Sequence, residues 1–179
     1  MQCIFIRFTA TICIALSIPC SICAKDYIEA AGNVLEYALP VSAGCVALCK
    51  SDLNGVIQLG ESVFLNEVVT FSLKYTVREK RPDGEDFHSF PSGHTSISVA
   101  SSEFLRKRYG WQYGVPAYSL AAFTGYSRIE SRRHFFHDVL AGAAIGFVSS
   151  YIFTRKYPDK NLFFQISDNG IAITVDGTF

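Results

Sequence analysis

The chain has 179 residues, and its 16 Lys and Arg balance its 16 Asp and Glu, so it carries no formal net charge. A sequence pI near 6.9 argues against wide binding of polyanions, and nucleic acid is not an expected partner. Mean hydropathy of +0.22 is modest for a six-span membrane protein but leaves a membrane-associated bundle open.

The first 24 residues pattern as an export signal: Arg7, an apolar stretch from Phe8 to Ile18, and Ala24 before the charged Lys25. Cleavage there would leave about 155 residues, enough for one domain and not two. Ile22 is bulky for the −3 position, so the same segment, if retained, serves as an N-terminal anchor helix. Four cysteines, Cys3, Cys13, Cys20 and Cys23, fall within it. Cys45 and Cys49 lie one helical turn apart, a spacing that suits two buried thiols better than a disulfide.

From Lys25 onward the periodicity predicts five helices: Tyr27 to Lys50, Val56 to Arg81, Ser92 to Tyr109, Tyr113 to Tyr126, and His134 to Lys156. Turn signals at Ser51 to Gly55 and at Gly110 separate them. After Pro158 the pattern changes, and Leu162 to Ile166 and Ile171 to Val175 flank Asp168-Asn169-Gly170 as in a β-hairpin. The expected fold class is all-α, a compact up-and-down bundle of five to six helices with a small C-terminal β-hairpin. Residues 1–24 form the signal or anchor, 25–157 the bundle and 158–179 the hairpin tail.

Three motifs carry the chemistry. Lys74 and Arg81 are seven residues apart, two turns of a continuous helix, and Pro82 stops that helix. Both cations then face one way, and the Arg81 guanidinium can grip two phosphate oxygens. Pro91-Ser92-Gly93-His94 reads as a helix start whose Ser92 and Gly93 amides point at an anion, with His94 close enough to exchange a proton. In the third motif Ser127-Arg128 precedes His134 and Asp138, an i, i+4 pair in which the carboxylate fixes the imidazole tautomer. Arg128 is placed in the connecting turn as a third cation. Each motif alone is common; in this order they make a phosphoryl-binding site.

The geometry supports a single site. The second helix ends near Arg81, the third begins at Ser92, the fourth ends near Arg128 and the last begins at His134, so all four ends meet on one side of the bundle. On the other side fall Lys50, Arg106-Lys107-Arg108 and Arg155-Lys156, which mark a cytoplasmic face if the bundle spans a membrane. Glu36, Glu61, Asn66 and Glu67 interrupt the apolar runs and would need partners inside it. A soluble periplasmic bundle is the other possibility.

The pattern K-x6-RP, PSGH, SR-x5-H-x3-D resembles that of the type 2 phosphatidic acid phosphatase and vanadium haloperoxidase superfamily, and every position is present between Lys74 and Asp138. The resemblance implies that His134 is a nucleophile forming a phosphohistidine, that Asp138 orients it, and that His94 is the general acid. Lys74, Arg81, Ser92, Gly93 and Arg128 would bind the phosphate. It implies no metal and no cofactor, with vanadate as an inhibitor. The substrate would be a phosphomonoester or diphosphate, of a lipid or a small soluble ester, hydrolysed in the cell envelope by an inner-membrane enzyme with its site facing the periplasm. Three alternatives stay open: a vanadate-dependent haloperoxidase, a soluble periplasmic non-specific acid phosphatase, and a non-catalytic anion-binding protein. Arg132, Arg133 and His137 depart from the family's usual residues; the two arginines read as solvated loop charges. His88 also reads as solvated, and no His, Cys or carboxylate cluster shows metal-ligand spacing.

Overall fold

The computed structural model describes residues 21–158, 160–167 and 170–177, with side chains described from Lys25 to Pro158. Most of the signal or anchor segment, residues 1–20, lies outside the described residues, as does the turn at Asp168-Asn169. Five helices form the bundle: α1 (Ser21–Cys49), α2 (Leu53–Val77), α3 (Gly93–Tyr109), α4 (Trp111–Glu130) and α5 (Phe136–Phe153). Two strands follow, β1 (Lys160–Ser167) and β2 (Gly170–Gly177), paired antiparallel with Lys160 opposite Gly177.

Each helix end has a local cause. The Asp52 carboxylate caps α2 by accepting from the Gly55 amide at 2.9 Å. At the other end Arg78 turns left-handed, φ 52°, and its amide closes on the Lys74 carbonyl. The helix expected to run to Arg81 therefore stops at Val77, and Arg81 sits in the loop beyond it. In contrast α4 continues past the expected Tyr126 to Glu130, which puts Arg128 in a helical turn and not in a connection. The last helix starts at Phe136, so His134 lies just before it, while Asp138 Oδ2 caps the Phe135 amide at 2.8 Å.

Helix α3 is central and packs against the other four. That position explains its composition: a helix surrounded by helices needs small surfaces more than an apolar stripe. Ser96, Ser98, Ser101, Ser102, Ala100 and Phe104 are all buried on it. Against α5 the approach is backbone to backbone, because a Cβ at Gly142 would strike the Ser92 carbonyl and one at Gly146 the Ser96 carbonyl. Asn66 and Thr70 of α2 reach Ser96 Oγ at 3.1 and 3.3 Å.

The outside is apolar, while the inside mixes a small apolar core with many buried serines and threonines. Phe64, Val68 and Phe71 on α2, Val115 and Leu120 on α4, and Leu140, Val148 and Ile152 on α5 are exposed, Phe64 by 72%. An apolar collar of that extent around a serine-rich interior matches lipid as the surrounding solvent. Three helices, Lys25–Cys49, Leu53–Val77 and Phe136–Phe153, are long and apolar enough to cross a membrane. Of the polar residues that interrupt them, Asn66 and Glu36 find partners inside, Glu67 faces a cleft, and Glu61 is exposed.

Cys45 and Cys49 are exposed free thiols, not the buried pair expected. The buried stripe of α1 runs through Leu39, Ala43 and Ala47, and the cysteines occupy other faces of the same turns.

Candidate active site

At one end of the bundle a cleft of about 310 Å³ opens between α1 and α2 and is floored by the start of α3, the end of α4 and the segment just before α5. Lys74, Arg81, Gly93, His94, Arg128 and His134 all line it, as do Glu29, Asn33, Glu36, Glu67 and Arg133. Ser92 and Asp138 stand behind this wall, both fully buried.

The three expected cations are held by different means. Lys74 Nζ donates to the His88 carbonyl at 2.9 Å, which ties the loop after α2 over the last turn of that helix. Arg81 Nε pairs with Asp86 Oδ1 at 2.8 Å within the same loop. Burial opposes ionisation of Asp86, but the His88 amide and Arg81 hold its pKa below the usual carboxylate value. Arg128 is only 2% exposed, and its guanidinium donates to Asn33 Oδ1 at 2.8 Å, to the Glu29 carbonyl at 2.7 Å and to Ser127 Oγ at 3.1 Å. A Cβ at Gly32 would overlap Ser127 and this guanidinium, so α1 can lie against α4 only through a glycine there.

His134 is buried, and its Nδ1 lies 2.7 Å from the Ser89 carbonyl. A carbonyl only accepts, so Nδ1 carries the proton and Nε2 is the nitrogen left with a lone pair. Asp138 Oδ2 is 3.6 Å from Nδ1, an ion-pair distance and not a hydrogen bond. The carboxylate instead accepts from Ser89 Oγ at 2.5 Å. The expected direct bond from Asp138 to the imidazole is thus replaced by a relay in which Ser89 touches both. Burial pushes the His134 pKa below its ordinary value; Asp138 opposes that, and the charges of Lys74 and Arg81 add to it.

The Ser92 amide does not point at the cleft. It donates to the Asp138 carbonyl at 3.0 Å, and Ser92 Oγ lies 3.0 Å from Thr95 Oγ1, because α5 packs directly over the start of α3. The first-turn amides of Gly93 and His94 have no helical carbonyl to reach and remain at the positive end of α3. His94 Nε2 is 2.9 Å from Glu36 Oε2 and 3.1 Å from Asn33 Oδ1.

Sequence reasoning missed the contribution of α1. Glu29, Asn33 and Glu36 are spaced four and three residues apart, one face of a helix, which is a readable signal once a polar stripe is sought and not an interruption. Arg133 is not a solvated charge either: its guanidinium joins Glu29 of α1 at 2.9 Å to Asp83 at 3.2 Å and to Glu85 of the loop. Arg132 is exposed, with φ 58°. His88 is partly exposed and meets the edge of Tyr75. Among the described residues one group does have metal-ligand proximity, Glu79, His137 and Asp138.

A family model for the PAP2 superfamily matches residues 55–162 of this chain. The chain is similar to a lipid A 4'-phosphatase of Helicobacter pylori, 29% identical over 144 residues that make up 74% of this chain and 72% of that protein. It is also similar to a lipid A 1-phosphatase of Porphyromonas gingivalis, 46% identical over 77 residues, 41% of this chain and 17% of that longer protein. In fold it is similar to the crystal structure of Aquifex aeolicus LpxE, with a TM-score of 0.62 at 22% identity, covering 72% of this chain and 84% of that one.

Proposed function

Since the chain belongs to the PAP2 superfamily and is a phosphoric ester hydrolase, we propose that it releases phosphate from a membrane lipid through a phosphohistidine at His134. The observation that carries this reading is the Nδ1 contact of His134 with the Ser89 carbonyl, which leaves Nε2 as the nucleophilic nitrogen in a cleft holding Lys74, Arg81 and Arg128.

In the first step Nε2 attacks phosphorus and the bond from phosphorus to the leaving oxygen breaks. His94, its Nε2 held by Glu36, delivers a proton to that oxygen from Nδ1. The imidazole of His134 becomes positive on attack, and Asp138, with no proton to give, stabilises that charge from behind. Lys74, Arg81, Arg128 and the Gly93 amide stabilise the equatorial oxygens of the transition state. In the second step His94 takes a proton from water, which attacks phosphorus and breaks the bond to Nε2. Three fixed cations supply the charge that a divalent metal supplies in other phosphatases, so catalysis needs none.

Similarity to two lipid A phosphatases makes the phosphate of a lipid A-type glycolipid the first candidate substrate. The catalytic end faces the periplasm in this reading. At the opposite end Lys50, Arg106, Lys107, Arg108, Arg155 and Lys156 gather, with Arg108 buried against Asp52, and such a basic cluster stays cytoplasmic. The test is a panel of lipid A, phosphatidate, diacylglycerol pyrophosphate and nitrophenyl phosphate, assayed in detergent with EDTA. Phosphate release from a lipid, undiminished by EDTA and inhibited by vanadate, is expected. Turnover that requires peroxide and halide, or added Mg²⁺, would contradict it.

A further inference from the structure

His137, in the first turn of α5, stands between two carboxylates. Its Nε2 lies 2.9 Å from Glu79 Oε1 and 3.1 Å from Asp138 Oδ1. All three atoms fall within 4.8 Å of one another. A tetrahedral zinc ion, with bonds of about 2.0 to 2.2 Å, separates its ligand atoms by about 3.3 Å, so two edges of the triangle are already close to what the ion requires. Two carboxylates balance a divalent charge. An imidazole among the donors favours zinc and its neighbours over Mg²⁺ or Ca²⁺.

A second observation is independent of this spacing. Asp138 is 0% exposed, and while its Oδ2 takes donors from Ser89 and Phe135, its Oδ1 has no hydrogen-bond partner. A buried carboxylate oxygen left without a donor is costly, and this one faces the His137 nitrogen. The His137 ring is itself held, stacked on Phe135 at 5.4 Å with 9° between planes, and it is 57% exposed, so an ion can reach it from solvent.

We propose that Glu79 Oε1, His137 Nε2 and Asp138 Oδ1 form a zinc-class cation site whose occupation inhibits the enzyme. Without metal, Nε2 carries the proton that faces the two carboxylates; on binding, that proton leaves to solvent, the Nε2 lone pair goes to the ion, and the neutral imidazole holds its one proton on Nδ1. The metal at Oδ1 draws negative charge away from Oδ2, which lies 3.6 Å from His134. The positive charge that His134 acquires on attack then loses its stabiliser, and phosphoenzyme formation slows. The inhibitory half rests on the function proposed above; the binding half does not.

The experiment uses untagged full-length protein in detergent, as wild type, His137→Phe and Glu79→Gln. Phenylalanine keeps the stack on Phe135, and neither residue belongs to the catalytic set, so basal turnover stays within about threefold of wild type. Micromolar Zn²⁺ should lower wild-type turnover at least tenfold, reversibly with a chelator, and either variant should need at least tenfold more metal. Co²⁺ titration supplies a readout that does not depend on activity: a visible d–d band in wild type that is absent from both variants. No cobalt band in wild type, or equal zinc sensitivity in all three proteins, would overturn the site. A cobalt band without loss of turnover would overturn the inhibition. Should no lipid be hydrolysed at all, the function reading fails, and the cobalt titration still decides the site.

Discussion

Arg128 shows how much a single side chain carries here. Its guanidinium serves the cleft and at the same time satisfies acceptors on α1, so Arg128→Lys should cost activity and stability together despite keeping the charge. We expect kcat to fall by ~10²- to 10³-fold, as for loss of a transition-state donor, with a lower melting temperature in detergent. Arg81→Lys would give up the two-pronged phosphate grip proposed for this more exposed side chain and should lower kcat/KM with the melt unchanged. For His94→Ala the expected loss is ~10²- to 10⁴-fold on alkyl phosphates and much smaller on nitrophenyl phosphate, because an acid matters most where the leaving oxygen is most basic. Equal losses across a leaving-group series would remove His94 from that role. Burial keeps His134 neutral below its ordinary value, so the acid limb of kcat/KM should lie below about pH 6.5. The unfolded chain takes up that proton first, so stability also falls as the pH drops through this range. Asp138→Asn removes the group that holds the His134 pKa up and should move the limb further to acid. These motif residues were legible because each is a distinctive side chain at fixed spacing. Ser89 was not, since its part is played largely by a backbone carbonyl, which no residue type announces.

At the scale of elements, the order of the helices and the meeting of their ends were readable from periodicity and turn residues. Their exact limits were not. Arg78 ends α2 by adopting a left-handed conformation that nothing in Val77-Arg78-Glu79 signals, and this moved Arg81 off the helix. The polar stripe of α1 was hidden for a different reason: Glu29, Asn33 and Glu36 interrupt an apolar run because they line the cleft. The close contact of α3 with α5 gives a sharp test. Gly146→Val places a branched side chain against the Ser96 carbonyl and should destabilise the fold by about 1–3 kcal/mol, read as a fall in melting temperature in detergent. Gly60→Ala is the control, because a Cβ there meets nothing within 4 Å and should leave the melt unchanged or raise it. Equal effects of the two substitutions would refute the account of this helix pair.

The described residues form a bundle whose interior joins a small apolar core to many buried serines and threonines, with an apolar coat, a basic end and a catalytic end. Orientation can be read with single cysteines after all six native cysteines are replaced by alanine. Glu85→Cys, in the loop at the catalytic end, should react with a membrane-impermeant maleimide in cells whose outer membrane has been opened; Gln112→Cys, beside the basic cluster, should not. Reversal of that pattern would place the site in the cytoplasm. The central claim concerns what happens between substrate and product, and rapid quenching of the enzyme with ³²P-labelled lipid A tests it most directly. The account predicts a labelled protein that survives base and loses its label in acid, present in wild type and absent from His134→Ala. Label that resists acid, or that persists in the alanine variant, would contradict it.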